Sequence, residues 1–159
     1  MVPADRRRPR RRHPDAREGG PLIVESGSPE RTEAAGRELA ALLAPGDLVL
    51  LEADLAAGKT IFVRGLVEGL GGDPAGVSSP TFVIVQTYPT GGGAISRLHH
   101  VDLYRLAEAG PEELRETGLE ELLSDGRAVT AVEWPVDSVL RWLPRGTRAW
   151  RIRIAVEPG

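Results

Sequence analysis

Residues 53–60 read ADLAAGKT and follow the apolar run Leu48–Leu51 after one residue, Glu52. They nearly match the phosphate-binding pattern of a strand, a G-x-x-x-x-G-K-[ST] loop and a helix. In such a loop (a P-loop), backbone N–H groups cradle phosphate oxygens, and the following helix adds its positive N-terminal end. The pattern predicts that Lys59 contacts the β- and γ-phosphates and that the Thr60 hydroxyl ligates Mg²⁺. The sequence therefore predicts binding of a nucleoside triphosphate.

Two positions of this loop depart from the pattern. Ala53 stands where the pattern has its first Gly, and Ala56 stands where many such loops carry Gly. Gly is favoured there because positive φ and close approach of phosphate both exclude a Cβ atom. An Ala in the left-handed region costs about 1 kcal/mol, so we expect looser nucleotide affinity. For this stretch alone, the alternative is an ordinary strand–turn–helix.

Acidic and histidine side chains end two other predicted strands. An apolar strand ends in Glu133, as in the Walker B pattern, where a carboxylate reaches Mg²⁺ directly or through water. His99, His100 and Asp102 fall together at the end of a second strand. The alternatives are a helix-capping role for Glu133, and a solvent-facing histidine pair with a capping aspartate. Two histidines without a third spaced ligand do not predict a metal site.

A further candidate is Thr81, which lies in the loop 77–82 after the P-loop helix and directly before a β-rich run. Many nucleotide hydrolases place there a switch that senses Mg²⁺ and the γ-phosphate. The alternative is an inert loop, since Ser-Ser-Pro is common in such loops.

The chain as a whole fits one globular domain. Its 159 residues are enough to bury a core, and the absence of cysteine excludes disulfides and thiolate metal sites. No apolar run approaches the roughly 20 residues that cross a bilayer. The Arg-rich N-terminus lacks the apolar stretch of a secretory signal. We therefore expect a cytoplasmic protein without membrane contact.

The net charge of −3 is unevenly distributed. Residues 1–20 contain seven arginines and three acids, a net charge of +4, so the other residues carry −7. We predict a disordered Arg-rich tail over 1–20 and a single domain over 21–159. The tail is either an arm that touches RNA phosphates or a solvated extension, and its lack of aromatic residues favours the extension. The acidic remainder argues against a large nucleic-acid surface.

Hydrophobic periodicity and turn residues predict alternating helices and strands. A helix starting at Ser28-Pro29 is predicted to bury Ala35, Leu39, Leu42 and Leu43 and to stop at Pro45-Gly46. The other predicted helices cover residues 60–70, 112–123 and 136–143. The predicted strands cover residues 22–25, 48–52, 81–88, 94–103, 128–134 and 147–156, with 81–88 and 94–103 forming an antiparallel hairpin. This order predicts a small α/β domain with a mixed sheet.

In their order and spacing, these segments resemble the TsaE (formerly YjeE) family of bacterial ATPases. The resemblance spans about residues 22–156, and its motifs are highly specific. They are Leu55-Ala56-Ala57-Gly58-Lys59-Thr60, Phe62-Val63-Arg64-Gly65-Leu66, Val77-Ser78-Ser79-Pro80-Thr81-Phe82, His100-Val101-Asp102-Leu103-Tyr104-Arg105 and Glu133-Trp134-Pro135. The resemblance implies a P-loop NTPase fold, a small three-layer domain whose mixed, largely parallel sheet carries an antiparallel hairpin.

The resemblance also implies a function. A TsaE-type protein is a slow Mg²⁺-dependent ATPase that works with the TsaB–TsaD pair, which places a threonylcarbamoyl group on the adenosine beside the anticodon of tRNA. Contact with tRNA would be made through that complex. The implied catalytic residues are Lys59, Asp102, which would orient water, and Glu133. The implied nucleotide contacts are Asp54, Leu55, Ala56, Ala57, Gly58, Lys59, Thr60, Thr81 and Trp134, and the implied Mg²⁺ ligands are Thr60 and Glu133.

Two other functions compete with this one. A small-molecule P-loop kinase needs an acceptor pocket and a lid, and the roughly ten residues between the P-loop helix and the hairpin are too few for a lid domain. A non-hydrolysing binding partner with a degenerate P-loop would account for Ala53 and Ala56.

Overall fold

The computed structural model describes residues 22–53, 58–78, 85–104, 110–134 and 141–155. Its strands are β1 (Leu22–Glu25), β2 (Leu48–Ala53), β3 (Val85–Pro89), β4 (Arg97–Asp102), β5 (Ala128–Glu133) and β6 (Ala149–Ala155). Its helices are α1 (Pro29–Ala40), α2 (Lys59–Gly69), α3 (Pro111–Glu116) and α4 (Leu119–Leu123), and a 3-10 turn covers Pro74–Gly76. The predicted tail over 1–20 lies outside the described residues.

The six strands form one sheet in the order β1-β6-β2-β5-β4-β3. The pair β3–β4 is antiparallel, and the other neighbouring pairs are parallel. This confirms the predicted α/β fold with a mixed, largely parallel sheet and a hairpin. Because β2, β4 and β5 are parallel, their carboxyl ends meet at one edge of the sheet.

The sheet is covered on both faces, as a three-layer domain requires. On one face, α1 and α2 pack against alternate strand residues in a core that includes Phe62, Leu66, Leu51 and Val129. On the other face, a second core gathers residues of α3 and α4 with the intervening strand residues; it includes Leu48, Leu50, Val101, Leu103, Leu114, Leu119, Leu123 and Val132. Successive strand side chains point to opposite faces, so strand position decides which core a residue joins.

Helices α1 and α2 approach each other at glycines. A Cβ atom on Gly65 would lie 2.0 Å from the carbonyl oxygen of Glu33, and one on Gly36 would lie 2.3 Å from that of Phe62. Real Cβ atoms do not approach backbone so closely, so the two helices reach this separation only with glycine at both positions. The contact fixes α1 against the helix that follows the P-loop.

The start of α1 follows its sequence signature, and its end does not. Ser28 caps the helix by accepting a hydrogen bond from the backbone N–H of Arg31, and Pro29 occupies the first turn. The helix ends at Ala40, before the predicted Pro45-Gly46 stop. Leu42 therefore lies beyond the helix and is 54% exposed, which makes its predicted burial wrong.

The predicted single helix over 112–123 is also wrong. The segment forms α3 and α4, separated by Gly118 at φ +75°. Thr117 closes the break, since its hydroxyl donates to the carbonyl of Leu114 and accepts from the backbone N–H of Leu119. Only a residue without Cβ adopts this left-handed geometry at little cost, so Gly118 ends α3.

Other boundaries shift by a few residues. In the predicted 94–103 strand, residues 94–96 precede β4, and the predicted 147–156 strand begins two residues later, at Ala149. The first part of the predicted 81–88 strand and most of the predicted 136–143 helix lie outside the described residues. Within the described part of the chain, no helix is long and apolar enough to span a bilayer.

Candidate functional site

The predicted P-loop joins β2 to α2. Gly58 adopts φ +89° directly before the first residue of α2, and Lys59 begins that helix with 7% of its surface exposed. Thr60 follows in the first helical turn and is half-buried. The predicted contacts Asp54, Leu55, Ala56 and Ala57 lie outside the described residues.

Ala53 does not carry the strain expected from the loop pattern. It is the last residue of β2, paired in register with Ile154 of β6. Among the described residues, a positive φ in a residue other than glycine occurs at Trp134 alone. Ala53 therefore continues a strand that tolerates any Cβ atom, and the expected left-handed cost does not apply at this position.

The side chain of Lys59 reaches back to the end of β2. Its Nζ atom donates to the carbonyl oxygen of Ala53 at 3.4 Å and lies 4.2 Å from the ring centre of Trp134. An ammonium group at this distance from an indole face is attracted by the negative face of the ring. The P-loop lysine and Trp134, which are distant in sequence, thus meet at one point.

Trp134 follows β5 in an unusual conformation. Its φ is +57°, and its ring centre lies 5.2 Å from that of Tyr104, at 57° between the planes. The backbone N–H of Leu103 donates to the carbonyl of Glu133 at 3.1 Å, which ties the two strand ends together. A bulky residue at positive φ is strained, and such strain is common at functional sites.

Two predicted acids lie side by side at this edge. Asp102 of β4 is paired in register with Glu133 of β5, and Leu51 of β2 is the other register partner of Glu133. Strand alternation places both acids on the sheet face covered by α1 and α2, together with Val129 and Leu51. The structure therefore brings Asp102, Glu133 and the end of β2 to one edge.

Glu133 is buried and paired with a histidine. It is 3% exposed, and its Oε1 atom lies 2.9 Å from Nε2 of His100, which is fully buried. His99 is 7% exposed. The alternative of a solvent-facing histidine pair is therefore wrong, and burial of both imidazoles was not apparent from sequence.

Asp102 makes a local turn. Its Oδ1 atom accepts the backbone N–H of Tyr104 at 2.9 Å, so the alternative of a capping aspartate describes part of what is observed. The side chain is half-buried, and its second oxygen is not needed for this turn. Its predicted catalytic role stays a prediction.

His99 belongs to a separate network. Its Nε2 lies 2.9 Å from Oδ2 of Asp125, and its Nδ1 lies 2.8 Å from the hydroxyl of Thr87. Arg97 Nε donates to the same Asp125 oxygen at 2.5 Å. Hydrogen bonds from Arg97 and then from His99 hold the pKa of the Asp125 carboxyl well below its usual range. This network ties the amino ends of β4 and β5 together, away from the P-loop.

The donor set at the P-loop edge suits Mg²⁺ and a triphosphate. Carboxylate and hydroxyl oxygens are hard ligands of the kind Mg²⁺ prefers, and Glu133 and Thr60 supply them. Within the described ranges, no three His, Asp or Glu side chains cluster as a self-contained metal site. Mg²⁺ bound with nucleotides usually takes one or two protein ligands together with phosphate oxygens and water, and Thr60 and Glu133 are of the chemical type that would serve. Thr81, the predicted switch, lies outside the described residues.

A family model described as "Threonylcarbamoyl adenosine biosynthesis protein TsaE" matches residues 26–158. The chain belongs to the TsaE family. This match confirms the resemblance carried by the sequence motifs, and it covers every segment that forms the site described above.

Relatives in the TsaE family are similar over much of the chain. Proteins named "tRNA threonylcarbamoyladenosine biosynthesis protein TsaE" are 43% identical in Rickettsia bellii, 50% in Streptomyces coelicolor and 42% in Bacillus subtilis. The alignments cover 67%, 62% and 67% of this chain and 69%, 64% and 62% of those proteins. For two of the three, the aligned region therefore spans less than two thirds of the relative.

A solved structure, the crystal structure of Bacillus subtilis YdiB, is 34% identical in sequence with a TM-score of 0.49. The superposition covers 75% of this chain and 67% of that one.

Sequence reasoning missed two contacts at this edge of the sheet. His100 was recognised as part of a motif, but its contact with Glu133 depends on the pairing of β4 with β5. Tyr104 was likewise part of a motif, and its contact with Trp134 joins two strand ends. The signal in the sequence was alternation: His100 shares a strand face with Asp102, so a long acidic side chain at the end of the neighbouring parallel strand could reach it.

Proposed function

We propose that this chain is a Mg²⁺-dependent ATPase of tRNA threonylcarbamoyladenosine formation that acts in the cytoplasm with TsaB and TsaD. Contact with tRNA is made through that complex. Membership of the TsaE family supports the pathway, because its relatives carry that pathway in their names. The ATPase activity is supported by the site.

The observation that carries the proposal is the convergence of Lys59, Asp102 and Glu133 at one edge of the sheet. Lys59 begins the helix after the P-loop, and the two acids are register partners on adjacent strands. Triphosphate hydrolysis depends mainly on positioning and on charge stabilisation, which need a cation, a metal-holding acid and a group that orients water. Lys59 supplies the cation, Glu133 the acid that holds the metal, and Asp102 the group that orients water.

The reaction joins water to the γ-phosphorus and breaks the bond to the β–γ bridging oxygen, giving ADP and phosphate. Lys59 contacts the phosphate oxygens through its ammonium group, a compact positive charge with three donors. Thr60 and Glu133 would hold Mg²⁺, and the bound metal would supply neutralisation of the charge on the phosphates. Asp102 orients the attacking water with the oxygen not used by the turn to Tyr104.

Weak activity without partners is part of the proposal. Lys59 is held by contacts within the protein, and Trp134 is held by Tyr104, which is 54% exposed. A partner that touches the exposed ring of Tyr104 has a direct route to Trp134 and from there to Lys59. Partner binding is therefore expected to raise turnover.

The test measures Mg²⁺-ATP hydrolysis by the purified chain, alone and with TsaB, TsaD and tRNA. The variant Lys59→Ala removes the phosphate-binding cation, and Arg37→Ala is the matched control. Arg37 is a half-exposed cation on α1 that pairs with Glu33 and Glu68. We expect turnover that rises with the partners, is lost in Lys59→Ala and is unchanged in Arg37→Ala.

Other outcomes point to other functions. Complex formation without any turnover would indicate a non-hydrolysing partner with a degenerate P-loop. Phosphate transfer to an added metabolite, in place of release, would indicate a small-molecule kinase. Turnover that persists in Lys59→Ala would contradict the assignment of the site.

A further inference from the structure

The buried contact between His100 and Glu133 has no role in the function proposed so far. His100 lies in the interior of β4, is fully buried, and places Nε2 at 2.9 Å from Oε1 of Glu133. The register pairs His100 with Ala131 and Asp102 with Glu133, so the imidazole sits two positions deeper in the sheet than the carboxylate. It approaches the carboxylate from the protein interior.

The surroundings of Nδ1 indicate which nitrogen of His100 carries the proton in the contact with Glu133. Nδ1 of His100 is buried, and the described part of the chain offers it no hydrogen-bond partner. A proton on Nδ1 would leave a buried N–H unpaired, which costs about 1–3 kcal/mol, whereas a proton on Nε2 is used by the carboxylate. The arrangement therefore favours the tautomer in which Nε2–H donates to Glu133.

This donor constrains Glu133 in a way that packing alone does not. A glutamate side chain has three rotatable bonds, and burial of its carboxylate without a partner is costly. A hydrogen bond to Oε1 restricts the rotation of the side chain and leaves Oε2 to serve as a ligand. Carboxylates that hold metals are commonly fixed in this manner by hydrogen bonds from a second layer of residues.

We propose that His100 is a positioning residue, which holds the Glu133 carboxylate in the orientation that serves Mg²⁺. This inference rests on the proposed function, because it assumes that Glu133 is the acid of the metal site. It assigns to His100 no contact with the nucleotide and no proton transfer.

The chain offers variants that separate the two ring nitrogens. The amide nitrogen of glutamine reaches about as far as Nε2, that of asparagine about as far as Nδ1, and leucine offers no donor. His100→Gln is therefore expected to keep the bond to Glu133, while His100→Asn and His100→Leu lose it. His99→Leu is the control, since it removes the adjacent imidazole of the same strand, which contacts Asp125 instead.

The first measurement is the Mg²⁺ concentration that half-saturates the Mg²⁺-dependent part of ATP binding, with affinity in EDTA as the reference. We expect the Asn and Leu variants at position 100 to need about 10- to 100-fold more Mg²⁺, the range typical of second-layer residues. His100→Gln should stay within a few-fold of wild type, as should His99→Leu. Affinity in EDTA should be the same in all.

Three results would overturn the inference. They are equal Mg²⁺ requirements for His100→Gln and His100→Asn, an unchanged requirement in His100→Asn, and the same shift in His99→Leu. Urea unfolding of each variant identifies any that fail to fold. If His100→Leu fails to fold, the comparison of His100→Gln with His100→Asn decides the question alone.

A second measurement needs neither nucleotide nor metal. Long-range proton–nitrogen NMR spectra of the imidazole in the free protein should show the proton of His100 on Nε2, and Glu133→Gln should alter that signal. A proton on Nδ1 would contradict the positioning role. If wild type itself bound ATP equally with Mg²⁺ and with EDTA while this tautomer was seen, the metal function would fail although the contact exists.

Discussion

The ammonium group of Lys59 lies 4.2 Å from the ring centre of Trp134, which joins the helix after the P-loop to the residue after β5. Trp134 holds this position at φ +57°, a conformation that costs roughly 1–2 kcal/mol for a residue with a side chain. The surrounding structure must enforce it. The indole is therefore placed where any ligand that attracts Lys59 changes the surroundings of the ring.

Trp134 should report nucleotide binding by its fluorescence. The chain has three tryptophans. Trp142 packs in the core on the other face of the sheet, and Trp150 donates its indole N–H to Asp47 at 3.0 Å. We expect Mg²⁺-ADP to change the intrinsic emission of wild type and of Trp150→Phe, and Trp134→Phe to lose most of the change. A full signal in Trp134→Phe would place the reporter elsewhere.

Asp102 should affect turnover more than binding. Asp102→Asn keeps an oxygen that accepts the Tyr104 N–H but removes the charge, whereas Asp102→Ala removes both. If the charge acts on water, we expect kcat to fall about 100-fold in Asp102→Asn with little change in nucleotide Kd. Steady-state kinetics measure kcat, and equilibrium binding measures the nucleotide Kd. If Asp102→Asn kept a normal kcat and only Asp102→Ala lost activity, Asp102 would be identified as a structural cap.

Much of this site was predictable because its determinants are local. The apolar runs before Lys59 and Glu133 define two buried strands, and parallel strands bring their carboxyl ends to one edge. Glu133 and Asp102 could therefore be placed near the loop from sequence. The strand order could not be predicted in this way, because the last strand, β6, lies between β1 and β2, and pairing between segments so distant in sequence leaves no local signal.

The features that sequence missed depend on contacts between distant segments or on backbone geometry. Burial of His100 requires Glu133 on the neighbouring strand, and neither residue type is usually buried without a partner. The break at Gly118 was hidden because the apolar spacing of 112–123 suits one helix. Glycine inside such a pattern is tolerated in many helices, so position alone did not identify the left-handed turn.

Gly65→Ala should destabilise the fold although alanine is the better helix former. Helix propensity alone favours alanine by about 1 kcal/mol. The added Cβ would meet the Glu33 carbonyl oxygen at 2.0 Å, and overpacking of this kind typically costs about 1–3 kcal/mol. Because both contacting groups are constrained by helices, we expect a net loss of about 2 kcal/mol in the free energy of unfolding.

Urea denaturation checks this value, and Gly126→Ala is the control, since its Cβ would meet no atom within 4 Å. Nucleotide affinity should also fall in Gly65→Ala, because α2 carries Lys59. A stabilised Gly65→Ala protein would show that propensity outweighs the close approach of the helices.

Replacing Asp47 should lower the free energy of unfolding more than replacing an exposed, ion-paired acid. It is 3% exposed and accepts hydrogen bonds from Arg148, Trp150 and the backbone of Ala44. Removing one partner of a buried pair typically costs about 3–5 kcal/mol. Arg148 is 32% exposed and regains some water, so we expect about 3 kcal/mol for Asp47→Ala by urea unfolding.

Glu52 provides the comparison for Asp47. Its pairs with Arg151 and Arg153 are far more exposed, so Glu52→Ala should cost less than about 1 kcal/mol. Equal losses in Asp47→Ala and Glu52→Ala would mean that the network around Asp47 contributes no more than a surface ion pair.

The network of Asp125 should make stability depend on pH in the acid range. Its pKa in the folded protein is held well below the ordinary value near 3.8, chiefly by the hydrogen bond from Arg97. As the pH falls, the Asp125 carboxyl is therefore protonated in the unfolded chain before it is protonated in the folded one. This protonation stabilises the unfolded state and lowers the free energy of unfolding. The stabilisation is fully present above about pH 5 and is lost progressively as the pH falls below about 4 towards the folded pKa.

Urea unfolding between pH 3 and pH 7 measures this dependence. Asp125→Asn should be less stable than wild type at neutral pH, and the difference between the two should shrink as the pH falls below 4. The arginine partner provides a second check, since Arg97→Gln should flatten the same part of the curve while leaving His99 in place. A difference that stays constant from pH 7 to pH 3 would mean that Asp125 titrates alike in the folded and unfolded chains, and that the contact with Arg97 does not hold its charge.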